Sequence, residues 1–365
     1  MTTVELWNSA MTYRYPNLDD EVEGLRFSSL MYGGFATCSF RLYRKPWRHY
    51  PELAVGGVVQ IRSRHQIVWA GRISAPTADT SNLSIDVEAD GPIEMLKRRL
   101  SLVSLSSAQY GGAWITDNVL PEFDLAPGVV ENGYQFSSGI NFSPHVYHAE
   151  AVEQINSANG YRYGFFTPQL SNALKARYFD FHAVSQTPDY YLDMADCQSQ
   201  IQYTIEGVEN RLRVTYSPDG SLQKYFWWPD ENGDPTSVGL YGLRDGTLDI
   251  PGVSSLARAQ QVATVALNWR KVLRPASDIV ASRITDTAGN DVPLPEVQPG
   301  RVLHIRGLNP GEFTLTEAQA VNQLCTWPIV LAENTVDAGT ITLSPGGLSA
   351  AIERVMSRME LAVSR

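Results

Sequence analysis

The stretch GGVVQIRSRHQIVWAGRIS, residues 56–74, decides the fold, because a second version of its opening occurs later in the chain. It reads as two strands joined by a tight loop, and its first strand runs from Gly56 to Arg62. The segment PGRVLHIRGLNPGEFTLTEAQ, residues 299–319, places glycine, two apolar residues, isoleucine and arginine at the same spacing, from Gly300 to Arg306. This repetition predicts that one structural element is built twice.

The repetition continues beyond the opening strand. Without gaps, Ile85-x-Val87, Gly91 and Leu96-x-Arg98 align with Ile341-x-Leu343, Gly347 and Ile352-x-Arg354. The shared pattern is two strands, a glycine turn and the start of a helix, in one order. Chance similarity of two hairpins is the alternative, since short β segments resemble one another easily. The matched glycine and arginine ends favour an internal duplication that covers residues 56–98 and 300–354.

The rest of the sequence indicates a mainly β protein with an α+β insert. The chain has 28 glycines, 21 prolines and many strand-forming residues, as β-rich proteins with many turns do. Residues 101–195 differ, because His148 to Ala158 has helical apolar spacing and ends at Asn159-Gly160. We therefore predict a first β domain over residues 1–100, an α+β insert domain over 101–195, and a second β domain with a terminal helix over 196–365.

Local signals predict several elements in the second half. Asp196 to Ile205 reads as a strand, and Arg211 to Tyr216 and Gln223 to Trp228 read as a hairpin around Ser217-Pro-Asp-Gly220. A helix capped by Ser254 or Ser255 should extend to about Trp269. Another helix is predicted from Leu348 to about Val363.

Charge and cysteine content exclude some function classes. The formal net charge is −10, and Lys97-Arg98-Arg99 is only a short basic run, which disfavours binding of nucleic acid through its phosphates. An acidic lumen along which DNA slides without sticking remains compatible. The widely spaced Cys38, Cys197 and Cys325 predict buried free thiols.

The N-terminus and the hydropathy pattern predict a protein that is made and folded in a cytoplasm. MTTVELWNSAMTYRY has no basic region followed by an apolar region, as a signal peptide would. No apolar run approaches the roughly 20 residues that a membrane span needs.

A search for chemistry predicts no catalytic, cofactor-binding or metal-binding residues. Nucleophile-elbow, zinc-protease and phosphate-loop motifs are absent. His145 and His148, with Glu150 and Glu153 nearby, are the candidate metal ligands, but two surface histidines fit them better. Asp230 to Asp234 lacks the twelve-residue calcium pattern and reads as a hairpin turn.

Two further groups leave functional alternatives open. Phe226-Trp227-Trp228 and Tyr241 could form an aromatic platform for sugar, although core or interface packing is the simpler interpretation. The acidic residues Asp19, Asp20, Glu21 and Glu23 include paired carboxylates, as glycosidases use, but one solvated loop lacks the opposed geometry.

Scattered motifs resemble the minor tail proteins of tailed bacteriophages, the hub proteins at the tail tip or baseplate. The first half carries Gly33-Gly-Phe-x-x-Cys-x-Phe40, Tyr50-Pro-x-Leu53, Gly57, Val58–Arg62 and Ile67-Val-Trp-x-Gly-Arg72. The second half carries Gly239-x-x-Gly-x-x-Asp245, Leu248-Asp249, Ser254–Ala259, Val292-Pro293 and Pro299-Gly-Arg-Val302. These motifs are spread over most of the chain and are structural, not catalytic.

The resemblance implies two tail-tube-like β-barrel or sandwich domains per chain, related by duplication. Three copies would present six similar domains and would join a six-fold tail tube to a three-fold tip. The implied partners are further copies in a homotrimer, a tail tube or distal tail ring, and fibre or spike proteins, with genome DNA passing through without specific binding. The implied location is the virion tail, assembled in the host cytoplasm. A glycan-binding tail module is the second hypothesis, and a cell-wall hydrolase is the third.

Overall fold

A computed structural model describes residues 2–345, except 17–21, 32, 44–48, 80–82, 99, 102, 124, 134, 137–138, 143–145, 159–162, 168–174, 181–187, 199–202, 217–223, 251–254, 272–273, 276–277, 308–326 and 338. The protein is mainly β, as the sequence predicts. Most strands belong to one large sheet, and three clusters of buried apolar side chains form the core.

The N-terminal part of the chain forms six antiparallel strands, here called the first unit. They are β1 (Thr2–Trp7), β2 (Val22–Leu30), β3 (Gly33–Tyr43), β4 (Val58–Ser63), β5 (Gln66–Asp79) and β6 (Ser84–Asp90). Their order in the sheet is β1-β4-β5-β6-β3-β2. Ile85 and Val87 are buried as their alternation predicts, but Leu83 lies in the preceding turn with φ +52° and is exposed.

A mixed segment follows the first unit. Its elements are α1 (Pro92–Leu96), α2 (Gly111–Asn118), β7 (Ala126–Val130), α3 (His148–Ala158), β8 (Tyr163–Thr167) and β9 (Lys175–Asp180). Trp114, Ile115, Val152 and Ile155 form a core of their own together with Leu30 of β2. The predicted helix over 148–158 is confirmed, and the helix predicted to start after the Gly91 turn is α1, which ends at Leu96.

The remaining described elements complete the sheet and add two small separate ones. They are β10 (Tyr190–Asp193), β11 (Tyr203–Thr204), β12 (Arg211–Tyr216), β13 (Lys224–Trp228), α4 (Pro235–Tyr241), β14 (Asp245–Ile250), α5 (Leu256–Arg270), β15 (Arg274–Pro275), β16 (Ile279–Ala281), β17 (Ile284–Asp286), β18 (Asp291–Val292), β19 (Val302–Arg306), β20 (Trp327–Asp337) and β21 (Thr340–Pro345). The two separate sheets are β11 with β15 and β13-β12-β14. We call β10, β11, β15, β16, β19, β20 and β21 the second unit.

The segment from β12 to α5 folds around its own core. β12 pairs with β13 in antiparallel and with β14 in parallel orientation, and α5 packs on them through Val262, Ala263 and Ala266. The predicted hairpin between β12 and β13 and the predicted helix α5 are confirmed. The turn Ser217 to Gly220 and the terminal helix from Leu348 lie outside the described residues.

Candidate functional site

Both units open their central hairpin with a glycine in the left-handed region. Gly56 has φ +83° and Gly300 has φ +80°, a conformation that glycine adopts without the steric cost paid by other residues. The Gly56 amide donates to the Ile73 carbonyl at 2.8 Å, and the Gly300 amide donates to the Leu331 carbonyl at 2.7 Å. Glycine is therefore repeated because the backbone has the same left-handed conformation at both places.

The strands after these glycines have the same register. Ile61 of β4 lies opposite Trp69, and Ile305 of β19 lies opposite Trp327. Ile85 lies opposite Ala78, and Ile341 lies opposite Val336. The gapless alignment made from sequence thus matches strand for strand as far as Pro345. Gly347, Ile352 and Arg354 lie outside the described residues.

Each unit also has a β-bulge at the same point of its long strand. In β5, Ile73 pairs with Ala89 and Ala75 with Glu88, so Ser74 is the extra residue. In β20, Leu331 pairs with Pro345 and Glu333 with Ser344, so Ala332 is the extra residue. A bulge bends its strand and increases the local twist. Both long strands are therefore bent directly after their glycine-opened hairpin.

One part of the repeat was missed from sequence. Pro51-Glu52-Leu53 precedes Gly56 at the same distance as Pro295-Glu296-Val297 precedes Gly300, and a 3-10 turn occurs at both places. Leu53 and Val297 are both buried. Both copies have proline, glutamate and an apolar residue in this order, and the apolar residue stands three positions before the glycine. This shared pattern could have predicted a longer duplication from sequence.

The two units differ at their outer strands. β1 runs antiparallel to β4, whereas β10 runs parallel to β19. The parallel strand is fixed by Asp189, whose carboxylate accepts from the Val302 amide at 3.0 Å and contacts the Arg301 guanidinium at 3.3 Å.

The second unit also has a counterpart of the β2–β3 hairpin, but it is interrupted. Leu42 and Ala281 are matched residues, because they lie opposite Ile85 and Ile341. Val22 pairs with Leu42 in the first unit, and Cys197 bridges to Ala281 in the second. β11 pairs with β15 in the same register as that bridge. Residues 205–273, with the core formed by β12 to α5, lie between the two partners.

The two units meet edge to edge through β2 and β20. Five residue pairs, from Arg26–Asp337 to Leu30–Glu333, are in antiparallel register. Beside this joint, the Ser63 hydroxyl donates to a Glu296 carboxylate oxygen at 2.8 Å. The Asn334 side-chain amide donates to the Val297 carbonyl. One continuous sheet therefore runs through both units.

Comparison with known proteins gives a clear structural result. No protein-family model and no curated protein sequence matches the chain. Solved structures do match over nearly its whole length. The 43 kDa tail protein of prophage MuSo2 from Shewanella oneidensis has a TM-score of 0.62 at 11% identity and covers 96% of this chain and 99% of its own.

Two further structures agree. The prophage tail protein gp18 from Listeria monocytogenes EGD-e has a TM-score of 0.60 at 8% identity, with 100% of both chains covered. A tail protein from Neisseria meningitidis MC58 has a TM-score of 0.60 at 14% identity, covering 94% and 95%. The fold is that of phage tail proteins. The predicted fold class and the resemblance to tail proteins are thus confirmed at the level of fold.

The described candidate metal ligands, His148, Glu150 and Glu153, belong to no group of side chains that could hold a metal ion. His148 is buried at the start of α3, and the Glu150 carboxylate accepts from the Tyr147 amide at 3.2 Å instead. The prediction of a surface histidine is therefore wrong for His148, and His145 lies outside the described residues. Among the described residues, no group of three or more His, Cys, Asp or Glu side chains could hold a metal ion.

The aromatic strand β13 alternates as expected. Phe226 and Trp228 pack against the small core. The outward rings carry arginines, with Arg211 and Arg213 each 4.5 Å from the ring centres of Trp227 and Tyr225. Cation–π packing accounts for these rings and covers faces that a sugar would need.

The acidic candidates have structural roles where they are described. Asp230 to Asp234 is a turn, but it is not the predicted hairpin, because it connects β13 to α4. The Asp230 carboxylate accepts from the Asn232 amide at 2.7 Å, and Asp234 caps α4 by accepting from the Ser237 amide at 3.0 Å. Of the four acidic residues between positions 19 and 23, only Glu23 is described, and it lies in β2. Asp19, Asp20 and Glu21 lie outside the described residues.

The described cysteines are free thiols, as predicted, but only Cys38 is also buried as predicted, since Cys197 is half-buried. Burial raises the pKa of the Cys38 thiol well above its usual range and that of the half-buried Cys197 to about 11. Both are therefore protonated and unreactive at neutral pH. Cys325 lies outside the described residues. No helix in the described part of the chain is long and apolar enough to cross a membrane.

Proposed function

We propose that this protein is a structural hub of a phage tail tip or baseplate. Three copies form a ring whose six similar units match a six-fold tail tube on one side and a three-fold tip on the other. The genome passes through the ring without specific binding. The partners are the tail tube or a distal tail ring, and fibre or spike proteins.

The observation that carries this proposal is the edge-to-edge pairing of two matched units in one chain. Both have the glycine-opened hairpin, the same register and the same bulge. In a three-fold ring, symmetry repeats the two matched units of one chain three times, which gives six similar positions. The tail-protein fold supports the location in a virion tail.

The net charge of −10 supports the proposed channel. A mostly acidic ring repels phosphates, so DNA would not be retained during passage. We expect no retardation of duplex DNA by the purified protein at physiological salt. Tight binding that weakens steeply with salt would contradict the proposed passage.

The decisive experiment is the absolute mass in solution by light scattering on a sizing column. We expect three times the chain mass of 40.4 kDa, together with rings with a central hole in electron micrographs. A mass of six chains would contradict the assignment of two units to each chain. A monomer at every concentration, alone and with a six-fold tail ring protein, would contradict the hub itself.

A further inference from the structure

We propose that one edge of β5, from Ala75 to Ala78, pairs with β11 of a second copy of this chain. This joint would repeat between chains the β2–β20 joint that exists within the chain. The inference rests on the proposed ring, and it names the surfaces that close it.

The edge is identified by matching β5 to β20. After their bulges, Ala75 to Ala78 correspond to Glu333 to Val336, since Ala78 and Val336 lie opposite the matched Ile85 and Ile341. In β20, this edge is covered by β2. In β5, β4 covers the same edge only as far as Arg72. Within the part of the chain that the structure describes, no strand pairs with the edge from Ala75 to Ala78.

The strand that would cover this edge is identified in the same way. In the first unit, β2 pairs with β3 on one side and with β20 on the other. The counterparts of the two ends of β2 are Cys197, which bridges to Ala281 of β16, and β11, which pairs with β15 in the same register. Among the described strands, β15 is the only one that pairs with β11, so no pairing of its other edge is seen within the chain.

Register predicts which residues meet. In the first unit, Ser29 of β2 lies opposite Phe35 on one side and Asn334 on the other. In the second unit, Thr204 lies opposite Arg274, which corresponds to Phe35, so Thr204 corresponds to Ser29. Thr204 should therefore face Pro76 of the neighbouring copy. One step along the strands, Ser28 faces Thr335 in the chain, so Tyr203 should face Thr77 of the neighbouring copy.

Side-chain exposure agrees with this arrangement. Leu30, at the end of the β2–β20 joint, is 5% exposed, whereas Ile205, which follows β11 at the matching place, is 45% exposed. A large apolar side chain at a strand end gains free energy when a partner covers it. The residues from Ala75 to Ala78 are half-buried to exposed, as expected for an edge that is completed on assembly.

The single proline of this edge limits what can bind. Pro76 has no amide hydrogen, so an incoming strand gains one main-chain hydrogen bond fewer than β2 gains on β20. A proline also discourages pairing with unrelated strands. The joint is head to tail, because β5 and β11 are different surfaces, and such contacts form a closed ring when the rotation closes.

Disulfide crosslinking tests the register. Chains with Thr77→Cys and chains with Tyr203→Cys are mixed and oxidised, both with Cys197→Ser and Cys325→Ser. We expect linked dimers without reductant in the mixed sample and in neither variant alone. The double variant should give covalent trimers. Ser28→Cys with Thr335→Cys is the matched control, because it should close the equivalent disulfide inside one chain.

The outcomes separate this inference from the proposed function. If the protein has a trimer's mass and the control disulfide forms, but mixed chains do not crosslink, the β5–β11 joint is wrong and the hub stands. If linked chains extend into ladders longer than three, the joint stands and the trimer is wrong. If the chain stays monomeric and uncrosslinked at every concentration, both are wrong.

A charge substitution tests the same edge without cysteines. Ile205→Lys should abolish the trimer while leaving the monomer folded, because this side chain is already exposed in the single chain. Leu240→Lys on α4 is the matched control, since Leu240 is 63% exposed and belongs to neither β5 nor β11. Loss of the trimer in the control as well, or its survival in Ile205→Lys, would overturn the inference.

Discussion

The first unit connects β2 to β3 through the short turn between Leu30 and Gly33, whereas the second unit separates the corresponding strands by residues 205–273. The register of the two central strands, the opening glycine and the bulge are nevertheless the same, although residues 64–65 join β4 to β5 and residues 307–326 lie between β19 and β20. The difference teaches that curvature and core are set by β4–β5–β6 and β19–β20–β21. The connection can lengthen, because the entropic cost of closing a loop rises slowly with its length.

The largest effect is expected at the hairpin core of the first unit. Trp69 is fully buried beneath Phe35, with ring centres 6.1 Å apart. Trp69→Ala should lower the free energy of unfolding by about 3–5 kcal/mol, measured by chemical denaturation. Trp227→Ala, on the outer face of β13, is the control and should cost much less. Equal losses would mean that the hairpin does not organise the unit.

Matched isoleucines test whether the two cores are equivalent. Ile61 and Ile305 occupy the same register position, and both are fully buried. Ile61→Ala and Ile305→Ala should each cost about 2–5 kcal/mol. Denaturation curves of the two variants should be similar. A small loss for one variant and a large loss for the other would break the comparison between the units.

The opening glycines should show a smaller, equal effect. Gly56→Ala and Gly300→Ala force a side chain into the left-handed region, at a cost of about 1–2 kcal/mol each. For Gly56 this cost is backbone strain alone, because no atom lies within 4 Å of an added Cβ. Thermal unfolding would measure it. Gly239→Ala, in helix α4 with open space around it, is the control and should stabilise.

The smallest effect is expected in the segment from β12 to α5, which has no counterpart in the first unit. The Arg211 guanidinium, bonded to Asp245 at 2.6 Å, lowers the pKa of that carboxyl. The ion pair therefore stabilises the folded state above the ordinary carboxyl pKa, and this contribution is lost as pH falls through the lowered value. In Asp245→Asn, the free energy of unfolding should fall slightly less steeply as the pH is lowered, as measured by denaturation at a series of acid pH values. An unchanged acid slope would show that the pair contributes nothing.

Much of the fold was predictable from particular residues. The repeat that begins at Gly56 and Gly300 predicted the two matching strands β4 and β19. The alternation around Ile85 and Ile341 predicted β6 and β21, because a period of two is typical of half-buried strands. The edges were not predictable. Nothing in the residues around Tyr190 signals a parallel partner, and β2–β20 pairing joins segments about 300 residues apart.

The candidate site was harder to predict than the fold. The sequence analysis singled out Trp227, His148 and Asp230. In the structure, the Trp227 ring packs against Arg211, His148 is buried at the start of α3, and the Asp230 carboxylate accepts a backbone amide. Each is explained by local packing. The proposed assembly surface includes residues such as Ala75 and Ile205, to which no sequence motif points, because an unpaired strand edge is recognised only from the pairing of the strands in three dimensions.

The β2–β20 joint also bears on how quickly such a ring could form. Since this joint is closed within each chain, its two partners are held at a high effective concentration, and no encounter between molecules is needed to make it. A ring of six units then requires three chains to meet instead of six. In the proposed ring, duplication inside one chain would thereby reduce the dependence of assembly on protein concentration.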